Sequence, residues 1–303
     1  MHFGAPYYQI HRADLLDILV NALGDAGIHL NARVQAFEQD EHGVTMTLAD
    51  GRIVTGDVLV GADGIHSAVR AQLFGREQPR YTGCVAWRGL VPAERVTHLD
   101  LGRVNGIWIE PNRSMVQYYV SAGRMFNWIG ISRSGHAAQE SWLAEGRAED
   151  ALAEYANWHP TIRTIIGATP RVLRQALYDR EPLAEWRVGR VVLLGDAAHP
   201  IMPFYAQGAG QSIEDAYVLA GCLALRPGEP VAALERYVRL RQPRTAWIQQ
   251  LSRCEEELCH MADPADIARR NTGLLQNQSL GAAAFPPEQE RLYSYDAEAA
   301  LRS

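Results

Sequence analysis

The chain has 303 residues, 47% of them hydrophobic, with 35 acidic and 29 basic side chains and a formal charge of −6. All 29 basic residues are Arg, so a Walker A lysine, a pyridoxal phosphate site and a Schiff-base lysine are excluded. No basic block argues for nucleic acid, no apolar run approaches the ~20 residues of a membrane span, and four scattered Cys without a CxxC suit a reducing, cytoplasmic setting.

Residues 7–12 read as a short strand. Residues 12–23 follow as a helix, with Leu15, Leu16, Leu19 and Leu23 on one face. The period then changes to that of strands at 28–30, 33–38, 44–48 and 52–55, with Asp50-Gly51 as a hairpin turn. Residues 57–61, DVLVG, form a continuous apolar strand of the kind buried on both faces. From 81 to 132 the chain is strand-rich and aromatic, which predicts an antiparallel sheet in a subdomain of its own. Residues 147–178 turn helical, broken at Pro160 and Pro170. Residues 190–194 give a second buried strand. A helix starts near Gly208 with Ile213, Ala216, Tyr217 and Ala220 on one face, and residues 231–259 carry a long helical pattern. The tail, 263–303, is less regular. The expected class is α/β with a β-rich insertion: residues 1–76 and 179–225 form one α/β domain in two parts, 77–178 the β-rich domain, and 226–303 a helical region.

Two motifs carry chemistry. In GADGIHSAVR, residues 61–70, a buried strand ends in a polar segment, where open α/β sheets bind ligands. Asp63 can accept hydrogen bonds, Gly64 permits close backbone approach, and Ser67 can cap the next helix. Arg70 can pair with an anionic group or with Asp63. A plain capped strand-turn-helix accounts for the same residues. In GRVVLLGDAAHPIMPFYAQGAGQSIEDA, residues 189–216, a strand delivers Asp196, read as a buried carboxylate suited to vicinal hydroxyls. Gly208, Ala209 and Gly210 open a helix whose free N–H groups favour an anion. An ordinary loop with turn glycines is the bland alternative.

Together these motifs resemble the two hallmarks of the FAD-dependent aromatic hydroxylases, the group A flavoprotein monooxygenases that include para-hydroxybenzoate hydroxylase. AQGAGQSIEDA, IHRADLLDIL and LYSYDA are most similar to the salicylate, 3-hydroxybenzoate and 6-hydroxynicotinate hydroxylase branch. The resemblance implies an FAD-binding Rossmann-like domain with an inserted antiparallel sheet and C-terminal helices. It implies FAD reduced by NADH or NADPH, then a flavin C4a-hydroperoxide that hydroxylates a small hydroxybenzoate-like aromatic with O₂, an activity of aromatic catabolism. Asp196 would bind the ribityl chain, and Gly208, Ala209 and Gly210 would line the flavin. Asp63 and Gly64 would lie near the pyrophosphate, Arg12 would contact FAD, and Val34 would stand near the adenine. Pro203, Phe204 and Tyr118 would line the substrate pocket, with no side chain assigned as catalytic because the flavin carries the chemistry. Phe204 departs from the polar residue that several relatives carry there. An ordinary strand aromatic is an equal reading of Tyr118. His199 reads as loop-shaping, Cys254 and Cys259 as structural, and Trp87, Trp108 and Trp128 as core.

The family's opening βαβ unit with GxGxxG is absent from the sequence. The expectation is therefore an N-terminally truncated chain that starts about a hundred residues into the family pattern, against ~30 for the βαβ unit itself. The competing readings are an inactive fragment that cannot hold FAD, and a flavin reductase or epoxidase of the same superfamily. A homodimer is a further expectation; metal, membrane and nucleic acid are not expected.

Overall fold

The computed structural model describes residues 2–24, 27–134, 145–279 and 286–303. In chain order, α1 (Arg12–Leu23) precedes β1 (Val34–Gln39), β2 (Val44–Leu48), β3 (Ile53–Gly56) and β4 (Leu59–Gly61). Next come α2 (Ala68–Phe74), β5 (Arg80–Pro92), β6 (Gly106–Glu110), β7 (Arg113–Val120), β8 (Met125–Arg133) and β9 (Glu145–Gly146). Helices α3 (Ala148–Glu154) and α4 (Pro160–Gly167) lead into β10 (Val172–Asp179), β11 (Arg187–Val188) and β12 (Val191–Leu193). The chain finishes with α5 (Gly208–Leu225), α6 (Pro230–Cys259), α7 (Pro264–Ser279), α8 (Pro287–Tyr293) and α9 (Ala297–Arg302).

These elements form two compact units. One comprises residues 1–27, 81–177 and 257–283; the other comprises 28–80, 178–256 and 284–303.

The first unit is built on a six-stranded sheet ordered β6-β7-β8-β5-β10-β9. The pairs β6–β7, β7–β8, β5–β8 and β9–β10 are all antiparallel, as the aromatic, Gly-punctuated sequence predicts. One face packs Trp87, Met115, Phe126 and Trp128 against Tyr155, Trp158, Ile162, Ile165 and Ile166 from the α3–α4 segment. Fully burying a large apolar side chain stabilises by roughly 1.5–3 kcal/mol, so this layer dominates the unit. Trp87 and Trp128 are core residues, and half-buried Trp108 packs on the same cluster and stacks on His159. The helical stretch is broken ahead of Pro160, as expected, into α3 and α4. Pro160 occupies the first turn of α4, where its missing N–H costs nothing, and His159 caps that turn by accepting from the Thr161 N–H at 3.3 Å. Residues 172–178 form a strand, contrary to the helical reading. The run VLRQALYD lies between β5 and β9 in the sheet, and pairing with those neighbours decides its state. Residues 7–12 are not a strand, whereas α1 has the expected bounds. Leu16, Leu19 and Leu23 on α1 are exposed, so the apolar stripe is not a buried one.

The second unit holds two three-stranded sheets. β1-β2-β3 is an antiparallel meander whose β2–β3 turn contains Gly51 at φ +85, the expected hairpin. Residues 28–30 add no strand to it. The other sheet, ordered β11-β12-β4, sets β12 parallel to β4. Val191, Val192 and Leu193 are wholly buried with Trp186, Val218, Leu219 and Tyr237, as a continuous apolar strand requires. The tail is more regular than expected and contributes α7, α8 and α9.

Candidate flavin site

Register fixes the geometry of the α/β unit. Leu59 pairs with Val191 and Gly61 with Leu193, so the chain leaves both strands at neighbouring carboxyl ends. The GADGIHS and GDAAHP loops start there, at the position where open α/β sheets take ligands.

In the first loop Asp63 accepts from the N–H of Ala68 at 2.7 Å and of Val69 at 3.2 Å. Ser67 accepts from the Arg70 N–H at 2.8 Å, the expected cap. Two side chains thus satisfy the first turn of α2. Gly64 sits at φ +80. Arg70 does not pair with Asp63. It is buried, donates to the carbonyls of Ala197 and Ala198 at 3.3 and 3.4 Å, and pairs with Glu77 at 3.0 Å. Arg180 shares Glu77 at 3.1 Å. Burial, and then the charge of Arg180, lower the Arg70 pKa against the pull of Glu77. Arg70 therefore fastens the second loop to α2.

In the second loop the expected burial is reversed. Gly195 and residues 197–200 are buried, and Asp196 alone among them is exposed. The buried carboxylate is Asp215, one helix further on. It accepts from His199 Nε2 at 2.5 Å, Arg241 Nε at 2.8 Å and the Gly195 N–H at 3.1 Å. Burial pushes the Asp215 carboxyl up, but His199 and the Arg241 guanidinium outweigh it and hold it below the ordinary carboxylate range. Arg241 also pairs with Glu214 at 2.5 Å and donates to Gln211 Oε1 at 2.7 Å. These contacts explain a second reversal. The buried face of α5 is Gln211, Asp215, Val218, Leu219 and Cys222, while Ile213 and Tyr217 are half-exposed. The apolar pattern selected the wrong face because the right one is partly ionic. His199 shapes the loop, as expected, through Asp215 and by packing on Trp186 at 5.1 Å.

The network steadies the start of α5. The Gln211 N–H closes the first turn on the Gln207 carbonyl at 2.8 Å, so the N–H groups of residues 208–210 belong to the unpaired first turn. A Cβ on Gly208 would meet nothing within 4 Å, and one on Gly210 only Gln207 Oε1 at 4.0 Å. The helix end is therefore bare and electropositive, a surface for a flat group carrying negative charge. The flavin end of FAD fits these residues, and Asp196 is exposed in the loop that leads to them. Gly195 is required: its φ is +62, and a Cβ would stand 2.8 Å from Ser212 Oγ.

Pro203 and Phe204 lie half-buried in a 3-10 turn. From α6, Gln249 donates to the Pro200 carbonyl at 3.1 Å and Ser252 to the Met202 carbonyl at 2.6 Å, which pins the segment before it. Tyr205, which the sequence reading passed over, has its pKa raised by burial and by Glu255. Val34 opens β1, in the other sheet of this unit.

Two predicted residues lie in the β-rich unit. Arg12 is the exposed first residue of α1. Tyr118 is half-buried on β7 opposite Asn127, on the sheet face away from the aromatic core. Its neighbour Gln117 pairs with Trp128 and points into the core, buried. Burial raises the Tyr118 pKa, and Arg88 partly offsets the rise.

Sequence comparison finds the FAD binding domain family over residues 5–252. The chain is 39% identical over 277 residues to 3-amino-4-hydroxybenzoate 2-monooxygenase of Streptomyces cremeus, covering 91% of this chain and 68% of that protein. It is 37% identical over 272 residues to 3-hydroxybenzoate 6-hydroxylase 1 of Aquipseudomonas alcaligenes, covering 89% and 68%. Among solved structures, a salicylate hydroxylase substrate complex superposes with a TM-score of 0.78 at 28% identity, over 97% of this chain and 75% of that one. The chain thus spans about two thirds of the length of these curated relatives. With the family matched over most of its length and the strand-end geometry in agreement, this chain belongs to the FAD binding domain family, among the flavin-dependent aromatic monooxygenases.

Proposed function

We propose that this chain hydroxylates a small hydroxybenzoate-like aromatic, using FAD, NADH or NADPH, and O₂. The observation that carries the reading is the bare, electropositive start of α5 beside an exposed Asp196, both at the ends of parallel strands. Bound FAD would supply the redox chemistry of hydride acceptance and oxygen activation. The protein's part is to bind, orient and exclude water. Asp196 would hold the ribityl hydroxyls, and residues 208–210 would carry the flavin ring and stabilise negative charge on it. Asp63 and Gly64 are proposed for the pyrophosphate side, Arg12 and Val34 for further contacts to FAD. Asp63 would act through α2, whose first turn it caps. Pro203 and Phe204 would keep the ring dry. Tyr118, a neutral phenol at physiological pH, would donate a hydrogen bond to a ring oxygen. Four cysteines that form no disulfide suit a cytoplasmic setting, and a homodimer is part of the same proposal.

The test is a visible spectrum of the purified chain after incubation with FAD, followed by NADH and NADPH oxidation with a panel of hydroxybenzoates. Bound flavin and substrate-stimulated, oxygen-dependent consumption with a hydroxylated product are expected. A protein that takes up no flavin would overturn the proposal for this chain. Oxidation indifferent to aromatics would favour the reductase reading.

A further inference from the structure

The aromatic-core face of the six-stranded sheet ends in a polar hollow. β7 brings Arg113 to it, and the cross-strand partner Ser132 on β8 is buried. By alternation Arg113 lies on the side of Met115, and Arg174 on β10 lies on the side of Val172, both core residues. α3 ends there at Glu154. A cavity of about 380 Å³ opens among these residues, Asn112 and Arg133. Three guanidiniums against one carboxylate leave it an excess of two positive charges. It is on the face of the sheet opposite Tyr118.

Two of these arginines meet no carboxylate. Arg113 is half-buried and donates from Nη1 to the main-chain carbonyl of Glu154. Arg174 is half-buried and lies 5.3 Å from the centre of the Trp87 ring. Neither has an ion pair among the described residues. By contrast Arg171, just before β10, pairs with Glu145 at 2.7 Å. The Glu154 carboxylate is engaged by Trp87, whose Nε1 donates to it at 2.7 Å. A partly desolvated guanidinium is stabilised by an anion brought beside it, and its fixed fork suits an oxyanion. The backbone that carries these donors is firm. β7 and β8 pair without a break from Arg113–Ser132 to Val120–Met125, and the Arg133 N–H closes on the Asn112 carbonyl at 3.0 Å.

We propose that this hollow binds a phosphate group, held chiefly by Arg113 and Arg174. The excess of two charges matches a phosphate dianion. Donors on β7, β8 and β10 line one space, so a tetrahedral oxyanion can take bonds from several sides. The volume is that of a small-molecule pocket, which suits free phosphate or the phosphate of a small ester. Glu154 opposes the anion and limits its affinity. The occupant lies on the other face of the sheet from Tyr118, so it does not compete with a ring bound there, and its binding does not depend on flavin chemistry.

The experiment is calorimetric titration of the purified full chain with inorganic phosphate, ribose 5-phosphate and ribose. It is run at about pH 8, where phosphate is a dianion, with ionic strength fixed by sodium chloride. The wild type should bind phosphate with a Kd of about 1 mM or below, and ribose not at all. Tighter binding of ribose 5-phosphate than of phosphate identifies the ligand as an ester; equal or weaker binding identifies it as free phosphate. Arg174→Gln should weaken phosphate by about tenfold or more. Arg163→Gln, at an exposed position on α4 outside the hollow, should leave the affinity unchanged. Glu154→Gln keeps an acceptor for Trp87 Nε1 and removes the opposing charge. It should tighten phosphate by about threefold or more, a gain that misfolding cannot produce. If Arg174→Gln fails to fold, the wild type and Glu154→Gln still decide. No binding of phosphate by the wild type, ribose bound as tightly as ribose 5-phosphate, or an affinity that Arg174→Gln or Glu154→Gln leaves unchanged would each overturn the proposal.

Discussion

Replacing Gly195 with Ala tests whether the GDAAHP loop is held as tightly as its geometry implies. The residue sits at φ +62, a left-handed conformation that costs an L-residue roughly 1–2 kcal/mol. The added Cβ would also stand 2.8 Å from Ser212 Oγ and 3.4 Å from Ser212 Cβ. Ser212 cannot turn away freely, because its hydroxyl donates to the Gly208 carbonyl at 3.0 Å. Overpacking of this kind adds about 1–3 kcal/mol, for a total of about 2–5 kcal/mol. Urea denaturation of Gly195→Ala measures the sum. Ser212→Ala in the same background separates the parts. It removes the 2.8 Å contact and leaves only the ordinary 3.4 Å one, so it should recover the overpacking share and leave the backbone share. A single variant within about 0.5 kcal/mol of wild type, or a double variant no more stable than the single, would refute the reasoning.

Asp215→Asn should lose about 3 kcal/mol, the lower end for a broken buried pair, because Glu214 still faces Arg241. The native Asp215 pKa is depressed, so its contribution is complete above the unfolded value of about 3.9 and fades as pH falls through the lower folded value. The stability gap between wild type and Asp215→Asn should therefore close in acid-denaturation curves below about pH 4, and a gap that widens there would contradict it. Asp196→Ala, at an exposed position, should leave the urea midpoint within about 0.5 kcal/mol and weaken FAD by about tenfold in a flavin fluorescence titration. Ser67→Ala should cost about 0.5–1 kcal/mol, since Asp63 continues to cap α2; a loss above about 2 kcal/mol in thermal unfolding would mean that Ser67 does more.

Local chemistry made much of this legible in advance. α1 and β2 have their expected bounds, and Gly208 starts α5, because each is set by period, turn residues or a helix-opening glycine close at hand. β10 was hidden because VLRQALYD fits either a helix or a strand until β5 and β9 flank it, a fact of tertiary pairing. The face of α5 was hidden for a different reason. Its buried side is set by Asp215 meeting Arg241, 26 residues on in another helix, and hydrophobicity scores those residues as surface. The same pairing concealed which aspartate is buried: Asp196 follows the apolar strand in sequence, yet Asp215 holds the loop. At the candidate site the glycines and Asp196 could be named from their loop.

The half-ionic underside of α5 has a consequence for how the unit assembles. A helix seated on aliphatic side chains alone can slip by a residue or a turn and still bury a comparable area. α5 cannot. With Asp215 and Arg241 both fully buried, any slipped docking would strand two charges away from water, at a cost of several kcal/mol. The ion pair thus acts as an alignment key. It admits one seating of α5 on α6, and with that seating comes one position for the glycine start that the flavin is proposed to use.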